Sequence, residues 1–294
     1  MKKKLFLMAC LTVWSILAAK AQLSVATLHH EGNVTIYSGS QIQTAIDNAV
    51  AGDTIYLSEG VFDGFTVAKD IAIIGSGVTT VIQEVVKFGS VSNLVLNNIL
   101  FTREISETNS DVALNGIRFN QCVIDYLHFY INQTPSIEIR HSYIKEVNFS
   151  NNTSRISNSA VTFINCKVNQ SGGIGTFINC NISNAEGGPT CQNCIIVKHN
   201  SGVNENCLVK NNDGDLIHSY IDSNFTLNED LDCSLTDAEL VDKGYLGTDG
   251  KVVGINGGEI PFTLASPILQ VIEHEITPDN VNKKLKVTLK LGNK

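Results

Sequence analysis

One six-residue phrase, apolar-x-Asn-Cys-x-apolar, recurs through the middle of the chain and restricts its fold more than any other feature. It reads Phe163-Ile164-Asn165-Cys166-Lys167-Val168, then Phe177-Ile178-Asn179-Cys180-Asn181-Ile182, then Cys191-Gln192-Asn193-Cys194-Ile195-Ile196. Asn206-Cys207-Leu208-Val209 continues it, and looser copies lie at 119–124, 139–144 and 216–221. Aligned on the cysteine, one column holds Asn98, Cys122, Ser142, Cys166, Cys180, Cys194, Cys207 and Ser219, all compact. Two residues on stand Leu100, Ile124, Ile144, Val168, Ile182, Ile196, Val209 and Ile221. The position between is mixed: Val123, Tyr143, Lys167, Asn181, Ile195. In-out-in alternation is strand spacing, and one pattern repeated at similar register marks a solenoid. The asparagines at 165, 179, 193 and 206 suit its corners. There Asn tolerates a left-handed backbone, and its amide can bond the copy in the next coil.

The spacing of the key column is uneven. Steps of 24, 20 and 24 residues shrink to 14, 14, 13 and 12. Either the coil flattens to two strands, or two phrases share each longer coil, with Cys166 stacked over Cys194 and Cys180 over Cys207. The second arrangement is preferred, because it keeps the cross-section near constant.

Met1-Lys2-Lys3-Lys4, an apolar stretch over 5–17 and Ala19-Lys20-Ala21 read as a signal peptide over 1–21, cleaved before Gln22. Export follows: a secreted or cell-surface protein, with the periplasm as an alternative. Cleavage would remove Lys2, Lys3, Lys4 and Lys20 and no acid, taking the net charge from −8 to −12. An acidic surface without a basic patch argues against nucleic acid as a partner. No later stretch is long enough for a membrane span. Seven of the eight cysteines would remain. Nearly all share one repeat column, so they read as buried thiols that pack as compact hydrophobes, with bridges between coils as the alternative.

Upstream of the repeats, alternation over 22–37 (Leu23, Val25, Val34, Ile36) predicts an early strand. Ser40 opens a helix over about 40–50, Gln43 completes a capping box, and Ile42, Ala45, Ile46, Ala49 and Val50 form its apolar stripe. Gly52 ends it. Strands at 53–57, 65–67 and 71–74 follow.

The sequence Ile42-Gln43-x-Ala45-Ile46, then Ala51-Gly52-Asp53-Thr54-Ile55-x-Leu57-x-x-Gly60-x-Phe62, then Ile71-x-Ile73-x-Gly75, resembles the entry segment of right-handed parallel β-helix proteins of the pectin-lyase-like superfold. With Leu28-His29-His30-Glu31-Gly32 it is most similar to secreted β-helix proteins of Bacteroidetes-type bacteria. The resemblance implies an amphipathic helix that covers the first coil. Residues 237–244 and 247–262 are similar to the exit segment of the same group. Beyond Pro267, alternating strands at 268–276 and 286–291 around Thr277-Pro278-Asp279-Asn280 predict a hairpin that caps the last coil. The expected fold is therefore all-β: a right-handed parallel β-helix over 22–264, an N-terminal capping helix, and a C-terminal β-strand tail over 265–294.

Chemistry is harder to find. A lyase of this superfold would need acids on adjacent coils for calcium and an Arg or Lys base. Arg118 and Arg140 do not share a register, and no acidic cluster is spaced for calcium. Asp125 and Lys145 share a register and read as a surface ion pair. Asp125 and His128 could form a proton-transfer pair, but the spacing is commonplace. Cys191-x-x-Cys194-x4-His199-x7-Cys207 has the wrong last gap for a zinc knuckle, so no metal or cofactor is expected. The threonines build no ranked Thr-x-Thr row of the kind ice binding would use. Glycan binding fits better, and Tyr126, His128, Tyr130, Tyr143 and Lys145 on consecutive coils make the candidate face. The expectation is a monomeric, non-catalytic scaffold or glycan-binding protein with polysaccharide or a surface protein as partner. A polysaccharide lyase or glycoside hydrolase with an unfamiliar site is the alternative.

Overall fold

Coil after coil, the period-two alternation folds into two stacks of parallel strands that face each other across an aliphatic and aromatic interior. The computed structural model describes residues 24–130, 132, 134–149, 160–172, 175–199, 202–211, 216–219, 235–264, 269–279 and 284–293. The signal peptide expected over 1–21 lies outside these residues, as do Ile221 and Cys233. The first sheet runs through Thr54–Leu57, Ala72–Ile74, Leu94–Asn97, Ile117–Asn120, Ile137–Arg140, Val161–Ile164, Thr176–Ile178, Thr190–Gln192 and Val203–Glu205. The second runs through Gly60–Phe62, Thr80–Ile82, Leu100–Glu107, Val123–Phe129, Tyr143–Phe149, Lys167–Gly172, Asn181–Ala185, Ile195–His199 and Cys207–Asn211. The protein is a parallel β-solenoid with few helices.

Side chains stack in register inside it. Ile124, Ile144, Val168, Ile182, Ile196 and Val209 pair coil to coil and are buried. Phe163 and Phe177 lie face to face, ring centroids 4.3 Å apart. Between the sheets seven successive coils turn through one residue with positive φ: Asn98, Gln121, His141, Asn165, Asn179, Asn193 and Asn206, all between 48° and 57°.

This corner corrects two of the aligned columns at their ends. Asn98 is a corner residue, and the key position of its coil is Ile99, whose carbonyl accepts the Val123 N–H as Cys122 accepts that of Tyr143. Phe101, not Leu100, pairs with Ile124. Ser219 lies opposite Cys207 in an antiparallel ladder, so Leu216–Ser219 closes the second sheet and adds no further parallel coil. Two phrases do not share a coil either. The Cys166 N–H donates to Cys180 Sγ (3.4 Å), Cys180 N–H to Cys194 Sγ (3.4 Å) and Cys194 N–H to Cys207 Sγ (3.3 Å). Each phrase is one coil, and the cross-section flattens as the coils shorten.

At the N-terminal end the early strand is a hairpin, Val25–His30 with Asn33–Ser38, turned by Glu31 (φ 46°) and Gly32 (φ 80°). Two successive positive φ values give the tight turn that suits a twisted hairpin. The helix follows as a 3₁₀ turn, Gly39–Gln41, and α1, Ile42–Asn48. Its capping box is Ser38 with Gln41, two residues earlier than the expected Ser40 with Gln43. Gln43 instead exchanges two hydrogen bonds with the Thr66 backbone, at 2.8 and 3.1 Å, as a neighbouring strand would. Ile42, Ala45, Ile46 and Ala49 are buried as the stripe predicts, but Val50 is half exposed, because the chain leaves the helix at Ala49 (ψ 150°). Lys69 Nζ donates to the carbonyls of Ile46, Asp47 and Ala49 and closes the helix C-terminus.

At the other end a strap returns along the corner column. Thr236 caps α2 (Asp237–Asp242) in a box with Glu239. Beyond it, Asn206 Nδ2 donates to Leu246 O (2.9 Å), Thr248 N–H to Asn193 Oδ1 (3.0 Å) and Ile255 N–H to Asn181 Oδ1 (3.1 Å). Asn165 Nδ2 then donates to the carbonyls of Ile255 (3.0 Å) and Gly257 (2.7 Å). The expected amide bond from one corner to the next is seen between Asn206 and Asn193 (3.2 Å); Asn165 spends its amide on the strap. Leu240, Tyr245 and Val253 cover Ile195 and Leu208, which point out of the coil yet are buried. Each such side chain contributes about 1.5–3 kcal/mol when removed from water. The predicted C-terminal hairpin forms between Leu269–Asp279 and Lys284–Asn293, as a sheet of its own. Among the described residues no helix is long and apolar enough to cross a membrane.

Two outcomes test these contacts. Gly254 has φ 88°, and a Cβ there would run into Asn181 Oδ1 and Ile195; Gly250 has φ 73° with open space around it. Gly254→Ala is expected to lower stability by roughly 1–3 kcal/mol, and by clearly more than Gly250→Ala, in paired denaturant melts. The second concerns His30, whose Nδ1 lies 2.8 Å from Asp53 Oδ1, while the Val50 N–H donates to Asp53 Oδ2. The bond to Asp53 raises the His30 pKa above 6.5. Burial pushes Asp53 up, but the Val50 N–H and His30 outweigh it and hold the carboxyl below 3.8. The His30 contribution is therefore full below pH 6.5 and fades as pH rises through the raised value. That of Asp53 is present above pH 3.8 and fades as pH falls through the lowered one. Thermal melts should peak between these limits, and His30→Gln should flatten the alkaline side.

Candidate functional site

After each corner, the second sheet turns one set of side chains inward and the rest to solvent. In two adjacent coils Ile124, Leu127 and Phe129 point in above Ile144, Val147 and Phe149. That leaves Tyr126 and His128 outward on one coil, and Tyr143, Lys145 and Glu146 outward on the next. Lys145 Nζ donates to the Tyr126 hydroxyl at 3.2 Å and lies 5.0 Å from the ring centroid. The same hydrogen bond raises the Lys145 pKa. The Tyr126 and His128 rings meet edge to face at 5.9 Å, and His128 Nε2 stands 3.3 Å from Glu146 Oε1.

The third coil extends the cluster. The Tyr143 hydroxyl accepts from Asn169 Nδ2 at 2.6 Å, and Lys167 Nζ lies 6.0 Å from the Tyr143 ring. Tyr126, His128, Tyr143 and Lys145 are thus brought onto one face, joined by Glu146, Lys167 and Asn169, which the sequence reading did not select. Their signal was available: Glu146 is four residues past Ser142, as Tyr126 is past Cys122, and Lys167 stands in the mixed column beside Tyr143. Tyr130 lies past the strand end, 54% exposed, and no ring contact joins it to the cluster among the described residues.

Several pairings differ from expectation. Asp125 and Lys145 are neighbours by register, but Lys145 turns to the Tyr126 hydroxyl, and the Asp125 charge adds only a smaller contribution to its raised pKa. The carboxylate facing His128 is Glu146, not Asp125. Arg118 and Arg140 lie on the first sheet, where Arg140 holds Glu138 with two bonds of 2.7 and 2.9 Å. The threonines stack as a single column and not as a Thr-x-Thr row: Thr162, Thr176 and Thr190 are in register on the outer face of the first sheet, with Ile164, Ile178 and Gln192 two residues on. It was hidden in the sequence because outward registers become readable only once each coil length is known.

Other places carry less. A groove of about 480 Å³ beside α1 is lined by Ala49, Ala68, Ser90 and Ala113, with Lys69 and Asp70. Lys69 is committed to helix carbonyls, and Asp70 accepts the N–H groups of Ser92 and Asn93. Among the described residues no three His, Cys, Asp or Glu side chains are placed to hold a metal ion. Six cysteines, 122, 166, 180, 191, 194 and 207, are free and buried. Burial pushes the Cys122 thiol up to about 12 and raises Cys180 and Cys207 as well. These thiols are core, and none of the six is offered to solvent.

The fold and this face together define a parallel β-solenoid with an outward polar-aromatic ladder over three coils of its second sheet. Compared with protein-family models, with curated proteins and with solved structures, the chain matches none.

The thiols supply a direct check. In the native protein the six buried cysteines should resist iodoacetamide, and all should be alkylated once the chain is unfolded, as read by peptide mass mapping.

Proposed function

We propose that the protein is an exported, non-catalytic β-solenoid of the pectin-lyase-like kind that binds glycan along the outer face of its second sheet. The observation that supports this most directly is the chain Tyr126–Lys145 and Tyr143–Asn169, with Lys167, across three adjacent coils. Aromatic faces stack on sugar rings, while the lysine and amide groups supply donors for hydroxyl or acidic oxygens. Repetition at the coil spacing suits a polymer that runs along the stack, and a surface protein is the other partner such a ladder could meet. The N-terminal signal pattern and the resemblance of 42–75 to secreted Bacteroidetes-type β-helix proteins support export.

A second reading rests on one observation. His128 Nε2 and Glu146 Oε1 lie 3.3 Å apart without a hydrogen bond between them, and a substrate that drew them into line would make a proton-transfer pair, so a lyase or hydrolase is the alternative. Affinity electrophoresis and calorimetry against neutral and acidic polysaccharides, followed by assay for unsaturated or reducing ends, separates the two. Binding without product is expected. Tyr126→Ala and Tyr143→Ala should each weaken it roughly 5- to 20-fold, the equivalent of ~1–2 kcal/mol, with little change in melting temperature. Tyr130→Ala should leave it unchanged. Product released by the wild type and lost in His128→Ala would replace binding with catalysis.

A further inference from the structure

The first sheet begins with a strand unlike its others. Asn33–Ser38 is the edge strand at that end of the sheet order, paired on one side with Val25–His30, and no strand pairs its other side among the described residues. Its six residues, Asn-Val-Thr-Ile-Tyr-Ser, carry no Lys, Arg, Asp, Glu or Pro. Their pairing with the neighbouring strand is continuous, without a bulge. Charges, prolines and bulges are the usual devices that keep an edge strand from pairing with another chain, and here none is present. On the outward face of the strand Ile36 is 71% exposed and Val34 54% exposed. Tyr56, 45% exposed, lies on the same face two strands in, through Thr27.

We propose that this edge is an interface between two copies of the chain, joined as antiparallel strands with the two-fold axis at Thr35. That register sets Val34 opposite Ile36 of the second copy and Ile36 opposite its Val34, so both apolar pairs fall on the outward face. A shift by one residue would set Val34 against Tyr37 and mix the two faces, so the pattern itself selects the register. Charge agrees. The acidic chain, at −8, repels its copies over most of its surface, yet this strand is neutral. In the stated register the hairpin tip, His30 and Glu31, falls opposite Ser40 and Gly39, so no like charges meet. The tight Glu31-Gly32 turn holds the strand extended before pairing, which reduces the ordering that association requires. One six-residue edge buries less than a standard interface of about 1,600 Å², so the dimer is reversible and departs from the monomer expected from sequence.

Sedimentation velocity of the purified protein, from low micromolar to several hundred micromolar, should show a concentration-dependent monomer–dimer equilibrium. Ile36→Lys should remain monomeric throughout with an unchanged melting temperature, since the side chain it replaces is exposed. Thr35→Cys, on the axis, should give a covalent dimer on mild oxidation above the wild-type background. Asn33→Cys, on the same strand but opposite Tyr37 of the copy, should not. Three outcomes would overturn the proposal: a monomer at every concentration, equal cross-linking of the two cysteine variants, or a dimer that survives Ile36→Lys. Protection of Asn33–Ser38 amides from hydrogen exchange in a monomeric sample would also overturn it, because the edge would then be occupied by the chain's own N-terminal segment.

Discussion

The solenoid depends on a single backbone conformation repeated at one corner. A left-handed residue costs roughly 1–2 kcal/mol for most side chains and less for Asn, yet seven coils place one there, five of them Asn. The conformation reverses the chain within one residue and delivers it from the first sheet to the second. It also aims the corner N–H at the next coil: Asn165 N–H bonds Ile178 O, Asn179 N–H bonds Gln192 O and Asn193 N–H bonds Glu205 O, each at 3.0 Å. The residue that follows turns inward at the tightest point of the coil; it is compact at Cys122, Ser142, Cys166, Cys180, Cys194 and Cys207, while one early coil holds Ile99 there. At Cys180, Cys194 and Cys207 the sulfur also receives the backbone N–H of the preceding coil, so these thiols are both filler and acceptor. An isosteric hydrocarbon would fill the space and leave that N–H unpaired.

Coil length governs the rest. Early coils have room for a third side, with strands such as Thr66–Val67 and Val86–Phe88 and a longer Leu100–Glu107. From Cys166 onward the coils are flattened, and a thin coil buries less per residue. The strap offsets this from outside. It converts outward Ile195 and Leu208 into a second small core and places backbone groups where corner amides can reach them. The longer coils carry Gln121 and His141 at the same corner, and the strap meets Gln121 through the Thr263 carbonyl, at 3.5 Å. The asparagines are therefore densest where the strap is docked.

These relations explain which parts of the structure were legible beforehand. Inward columns repeat apolar residues, so the solenoid, the buried thiols and most of the stacking could be read directly. Alignment on small residues slipped at Asn98 because a corner asparagine and an interior cysteine are both compact, and only the backbone conformation separates them. Two phrases per coil follow from assuming a constant cross-section; the strap, remote in sequence, removes the need for it. Outward residues carry no such repetition. Their neighbours depend on each coil's length, which is why the Thr162–Thr176–Thr190 rank and the Glu146 partner of His128 stayed hidden.

The same freedom gives the outer faces their character. An outward position on a middle coil has its backbone fully paired to the coils on either side, so substitution there changes surface chemistry and little else. Tyr126, Tyr143, Lys145 and Asn169 can form a polar-aromatic ladder because Ile124, Ile144 and Val168 hold the coils in register beneath them. The edge strand Asn33–Ser38 lacks that support on one side, so its composition faces a second constraint, whether another chain can pair with it. A neutral, β-branched sequence at such a place adds to stability only when something completes the sheet, and it is a hazard otherwise. Middle coils and terminal edge thus divide the molecule's surface into two kinds: faces that can vary for recognition, and an end whose residues are tied to association.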